Sequence, residues 1–166
     1  MKKQRGSVMV STLVCFFILS SICLGCIELI RTNIDIINIY EDALKLEYEV
    51  EGGINLGYSK ILEEVEKSIK IAMADEYPNE IYKDYFMGSN KVNFIKSIED
   101  IMDDGIRLDV VNNKIYIEDD CIKLDIVCNK NYKTLEKGAR CSFKINLDFA
   151  NNNIEDIVDK YGYKEI

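Results

Sequence analysis

The sequence predicts an α+β fold: a long N-terminal helix, membrane-spanning in its first half, packed on a four-stranded antiparallel β-meander. Three observations carry this. Residues 7–27 contain no charged side chain. Apolar residues then recur at helical spacing as far as Met73, with no proline before Pro78. After Gly105 the hydrophobic period changes from 3.6 to two.

The apolar run comes first. It follows a leader that carries Lys2, Lys3 and Arg5, and Glu28 is the next charge after Arg5. Twenty helical residues at about 1.5 Å each cover roughly 30 Å, the thickness of a bilayer's hydrocarbon core. A helix for water needs a polar face, and this run lacks one. The basic leader is expected to stay in the cytoplasm, which sends the rest of the chain outward. Four fates compete for such a segment. A cleaved secretory signal would have a shorter apolar region and a small-residue exit. A lipoprotein signal would attach lipid at Cys26, but Cys23 stands where a leucine is usual. A plain uncleaved anchor would keep its leader. A prepilin would be cut after Gly6.

Beyond the span, Ile30, Ile34, Ile37, Leu44 and Tyr48, then Tyr58, Ile61, Leu62, Val65, Ile69, Ala72 and Met73, continue one helical stripe. Gly52, Gly53 and Gly57 interrupt it, each costing about 1 kcal/mol relative to alanine in a helix. They mark either a kink or a close approach of another element. Residues 75–90 read as an irregular link, with the aromatic cluster Tyr77, Tyr82, Tyr85 and Phe86 covering a core edge. A short amphipathic helix is expected over residues 92–102.

The strands follow. Ile106, Leu108 and Val110 alternate with polar residues, and a turn at Asn112-Asn113 would place Val110 opposite Ile115 and Leu108 opposite Ile117. A second turn at Asp119-Asp120 would place Ile117 opposite Ile122 and Ile115 opposite Leu124. Residues 122–128 form the third strand. The fourth points Ala139, Cys141, Phe143, Ile145, Leu147 and Phe149 to one face. All the apolar pairs share that face, and the outer half of the long helix has the stripe to cover it. If Ile126 faces Phe143, then Cys128 faces Cys141, giving either a candidate disulfide or two reduced core cysteines. Cys121 is expected to be free. The tail from Ile154 forms a last short helix or docks on a partner.

At this point the chain resembles the type IV pilin and pseudopilin superfamily over residues 1–66. The resemblance rests on Arg5-Gly6 before an apolar helix, and on the segment Glu51-Gly52-Gly53-Ile54, which is similar to one in PilX-like minor pilins. It implies processing by a prepilin peptidase between Gly6 and Ser7, with Ser7 the methylated mature N-terminus. It also implies partners, namely other pilins and minor pilins through the N-terminal helix. Major pilins carry glutamate at the fifth mature position, and here that position is Ser11. A carboxylate in the bilayer is costly without a partner, and subunits lacking it resemble the K-type, competence and other tip minor pilins. The organisation implied is a leader over 1–6, a transmembrane and assembly helix over 7–30, its extramembrane continuation over 31–74, and a head over 75–166.

Composition narrows the function. The net charge is −8, and loss of Lys2, Lys3 and Arg5 with the leader would take it to −11. Direct nucleic-acid binding is not expected of such an acidic head. There is no histidine, so the commonest general base and metal ligand is missing. No nucleophile elbow and no phosphate-binding glycine loop is present. No enzyme activity and no cofactor are expected. Acid pairs such as Asp103-Asp104 and Asp119-Asp120 read as solvated turns, with calcium as the minor alternative.

Overall fold

A computed structural model describes residues 2–103, 105–149 and 153–166, and the side chains of these except 2–7, 102 and 103. Nine elements follow in order: α1 (Lys2–Ala72), α2 (Pro78–Met87), α3 (Lys91–Glu99), β1 (Met102–Asp103), β2 (Ile106–Glu118), β3 (Cys121–Tyr132), β4 (Leu135–Asn146), α4 (Ile154–Ile157) and β5 (Val158–Glu165). The chain divides into two compact units, Met1–Asp42 and Ala43–Ile166.

The second unit has the α+β arrangement expected of the sequence. Its part of α1 buries Leu46, Val50, Ile54, Ile61, Val65 and Ala72. The stripe differs from the expected one at its start. Leu46 is buried while Tyr48 is 69% exposed, because a residue two positions along a helix lies about 200° around it.

The inner sheet face supplies Leu108, Val110, Ile122, Leu124, Ile126, Phe143 and Ile145 to the same core. Gly53 explains how helix and sheet come so close. A Cβ there would collide with Cys128 Sγ and lie 2.8 Å from Ile106 Cγ2. Of the two readings of these glycines, close approach is the one realised at Gly53, and α1 runs through unbroken.

The link after α1 differs from expectation. Residues 78–87 form α2 instead of an irregular segment, with Pro78 at its start, where proline's fixed φ and missing N–H are tolerated. The aromatic cluster does cover the core. Tyr82 and Phe86 are fully buried, Tyr82 lies 4.6 Å from Phe149, and Phe86 meets Phe94 of α3 edge-on at 5.0 Å. Tyr77 is exposed.

The sheet is antiparallel throughout, in the order β1-β2-β3-β4-β5. The turn at Asp119-Asp120 is as read, with both residues at positive φ (53° and 55°) and Ile117 opposite Ile122, the geometry of a type I′ hairpin. The expected hairpin at Asn112-Asn113 does not form. Val110 pairs with Ile126 and Ile115 with Leu124, so one strand continues across a bulge. Five steps on β2 oppose two on β3, and the three extra residues reverse the side-chain parity. Val110 and Ile115 therefore both face inward, as they would across a hairpin. Asn112 and Asn113 supply the positive φ values, 55° and 50°.

The expected long loop between the last two strands is a two-residue turn instead, with Tyr132 opposite Leu135. This moves the register by two. Leu124 faces Phe143, Ile126 faces Cys141, and Cys128 faces Ala139. Cys128 and Cys141 are thus diagonal neighbours, about 7–8 Å apart at such positions, beyond the usual reach of a disulfide. All six cysteines are free.

The tail resolves into both kinds of element. After the single turn of α4, β5 pairs along β4. Between Arg140 and Ser142 its register shifts, and Gly162 adopts φ 64° there, a value glycine reaches without strain. Ile166 N–H donates to Gly138 O at 2.9 Å, closing the strand's end.

Candidate membrane and assembly segment

The first unit is the part of the chain whose surface demands an explanation. Every described side chain from Val8 to Glu41 is exposed. Phe16, Phe17 and Met9 expose 70%, 75% and 69% of their surfaces. Fully burying one such side chain is worth about 1.5–3 kcal/mol, so a row of them in water is strongly unfavourable. Among the described residues one helix is long and apolar enough to cross a membrane, with a window of mean hydropathy 2.5 near the N-terminus.

The polar atoms of this segment suit hydrocarbon. Thr12 Oγ1 donates to Met9 O at 2.9 Å and Ser21 Oγ to Phe17 O at 2.9 Å. Their hydroxyl protons are thereby satisfied within the helix, which removes much of the penalty for placing them in lipid. Cys15, Cys23 and Cys26 are exposed thiols on the same helix. The first charge after the run is Glu28, and Arg31 and Asp35 follow.

The sequence-derived residues are distributed as follows. Ser11 lies on α1 with an exposed side chain. Gly6 and Ser7, the expected processing pair, lie outside the residues whose side chains are described. Cys128 and Cys141 are buried in the second unit. Burial pushes the Cys128 thiol up to about 11 despite Lys130 nearby, and burial also raises Cys141. Both are held as neutral thiols, which are poor nucleophiles.

The second unit carries polar ties that the sequence did not announce. Lys130 is only 6% exposed and pairs with Glu49 at 2.9 Å, joining sheet to helix. Glu64 is buried, accepts from Tyr85 OH at 2.7 Å, and pairs with Lys67 at 2.9 Å. Burial and the Glu64 carboxylate push Tyr85 up to about 12. Hydrogen bonds from Lys60 and Lys67 bring Glu63 down to about 2. On the outer sheet face, Asp125 pairs with Arg140 and accepts from Ser142 Oγ at 2.5 Å. These two contacts outweigh its partial burial and lower its pKa. The sequence signals for these ties are the i,i+3 and i,i+4 spacing of Lys60, Glu63, Glu64 and Lys67 on a helix, and a lysine on the inward phase of a strand, Lys130, which must have a partner.

An open groove of about 390 Å³ lies between α2 and the 119–120 turn, lined by Asn79, Glu80, Lys83, Asp120, Leu147 and Asp148. Among the described residues no group of three or more acidic or thiol side chains is placed to hold a metal ion. Asp119, one of the calcium candidates, lies 3.5 Å from Lys123 Nζ. Asp104, another, lies outside the described residues.

The chain matches no known protein-family profile, no curated protein and no solved structure.

Proposed function

We propose that this chain is a non-catalytic minor pilin or pseudopilin. It waits in the cell membrane as a single-pass protein with its N-terminus cytoplasmic and its head outside, loses residues 1–6 to a prepilin peptidase, and enters a type IV pilus-like filament at or near the tip. One observation carries the reading: an uncharged helical run begins directly after Lys2, Lys3, Arg5 and Gly6, its side chains are exposed from Val8 onward, and it belongs to the same helix that packs on the antiparallel sheet of the head.

Physical arguments support the tip position. A helix without a carboxylate at Ser11 has no charge that needs a neighbouring terminal amine within the membrane. A tip subunit has no subunit above it to offer one. The acidic head is suited to contact proteins in preference to nucleic acid. The same serine favours a second reading, a single-pass anchored binding module that is never processed or assembled.

A Gly6→Asp substitution separates the two. The pilin reading expects the variant to keep its leader and to disappear from sheared surface filaments while remaining in the membrane. Normal filament incorporation of the variant would overturn the reading.

A further inference from the structure

The exposed apolar surface does not stop where a bilayer would. Residues 8–27 already cover roughly 30 Å. Leu29, Ile30, Ile34, Ile36, Ile37 and Tyr40 lie beyond them, each 51–67% exposed. A helix turns about 100° per residue, so these six fall on one arc. Glu28, Arg31, Asp35, Asn38 and Asp42 fall on the opposite side, joined by Ile39, while Glu41 lies toward one edge of the arc. Lipid covering a span to residue 30 reaches only Leu29 and Ile30, and water is an unfavourable neighbour for the rest of the arc.

The middle of the arc has a definite period. Cys23, Cys26, Ile30, Asn33, Ile37 and Tyr40 follow each other at steps of three, four, three, four and three. Phe16 and Leu19 extend the same pattern back into the span. Alternating three- and four-residue steps average 3.5, the seam spacing of two helices wound about each other. Within the span the seam holds two small side chains, Cys23 and Cys26, which permit close approach in lipid.

Asn33 identifies the occupant. Its amide sits among isoleucines at the centre of the arc. An apolar helix lying there would leave the amide without a partner, a costly arrangement. A second copy of this chain, inserted in the same membrane with the same orientation, brings its own Asn33 to the same height. A single asparagine in an otherwise apolar seam then fixes both parallel orientation and register. We propose that the Ile30–Asn33–Ile37–Tyr40 face is a docking surface for a second copy of this chain, parallel and in register. The pair would exist in the membrane independently of processing. It also differs from packing within a filament, where successive subunits are displaced along the axis and identical residues do not meet.

The test is cysteine cross-linking of the full-length chain in native membranes, with Cys15, Cys23 and Cys26 replaced by alanine. Under copper–phenanthroline oxidation, Ile37→Cys is expected to give a homodimer at least tenfold more efficiently than Asp35→Cys on the opposite face. Adding Asn33→Asp to Ile37→Cys sets two carboxylates against each other and is expected to reduce that dimer at least fivefold. Equal cross-linking at 35 and 37 would overturn the proposal. So would adducts formed only with other proteins, no dimer at all, or a dimer indifferent to Asn33→Asp. The N-terminal mass of the same sample reports processing separately, so failure of this inference is distinguishable from failure of the pilin reading.

Discussion

Gly52 and Gly53 are neighbours on one helix, yet alanine at each is expected to move stability in opposite directions. At Gly52 a Cβ meets nothing within 4 Å. The substitution then removes a helix-destabilising glycine and is worth up to about 1 kcal/mol of added stability. At Gly53 the same Cβ collides with Cys128 Sγ and lies 2.8 Å from Ile106 Cγ2. Forcing an extra methyl into packed core typically costs about 1–3 kcal/mol, so after a propensity gain of about 1 kcal/mol a net loss of up to roughly 2 kcal/mol remains. For a chain of this size that is a melting-temperature drop of up to about 8 °C. The nearer obstacle is the Cys128 sulfur, with the Ile106 methyl the other, and therefore Cys128→Ala in the Gly53→Ala background should recover part of the loss. The double variant should be more stable than the sum of the two single effects. The assay is urea or thermal unfolding of the full chain in detergent, followed by near-ultraviolet circular dichroism. Gly53→Ala as stable as Gly52→Ala would refute the close helix–sheet contact. A Cys128→Ala effect that merely adds would refute the identity of the clash.

Three further outcomes are expected. Phe86→Ala removes the ring shared by Tyr82, Tyr85 and Phe94 and should cost about 3–5 kcal/mol in the same unfolding assay. Lys130→Ala leaves Glu49 without this buried partner and should cost roughly 1–3 kcal/mol, whereas Lys123→Ala on the outer face should cost under about 1 kcal/mol. Alkaline stability should fall as buried thiols and phenols ionise, Tyr82 and Cys141 among them because burial raises both. Folded-state values of about 11 for Cys128 and about 12 for Tyr85 lie above their unfolded values of 9.0 and 10.0. The stability each contributes is therefore complete below its unfolded value and is lost as pH rises to its folded value. Tyr85→Phe should reduce, without abolishing, the loss between pH 10 and 12; an unchanged profile would show that Tyr85 does not contribute to it.

Much of the architecture was legible because alternation reports parity well. The inward face of every strand from Ile106 to Ile145 follows from it, and so does the Asp119-Asp120 turn. Parity is also where the sequence stops informing. A hairpin at Asn112-Asn113 and a three-residue bulge there leave Val110 and Ile115 on the same face, so the pattern is identical for two topologies. A slip of two residues preserves faces as well, and this is why Cys128 could be set against Cys141 when its partner is Ala139.

Strand β5 is not legible in the sequence, for a different reason. It lies at the sheet's edge with all but Val158 exposed, so most of its residues are charged or polar, and charge on an edge is itself protection against unwanted pairing. Its bulge at Gly162 further scrambles the period. Helix α2 was hidden by its proline, which reads as a breaker but serves as a first-turn residue. Ser11 and the uncharged run needed no structure to be seen. What Gly53 does, by contrast, depends on a strand more than seventy residues away.

The central claim is that residues 1–6 are a prepilin leader, and the N-terminus of the membrane-extracted protein tests it most directly. Intact and peptide mass spectrometry should find a chain beginning at Ser7, methylated or not. A chain beginning at Met1 or Lys2 would contradict the account, and one beginning at a lipid-modified Cys26 would contradict it equally.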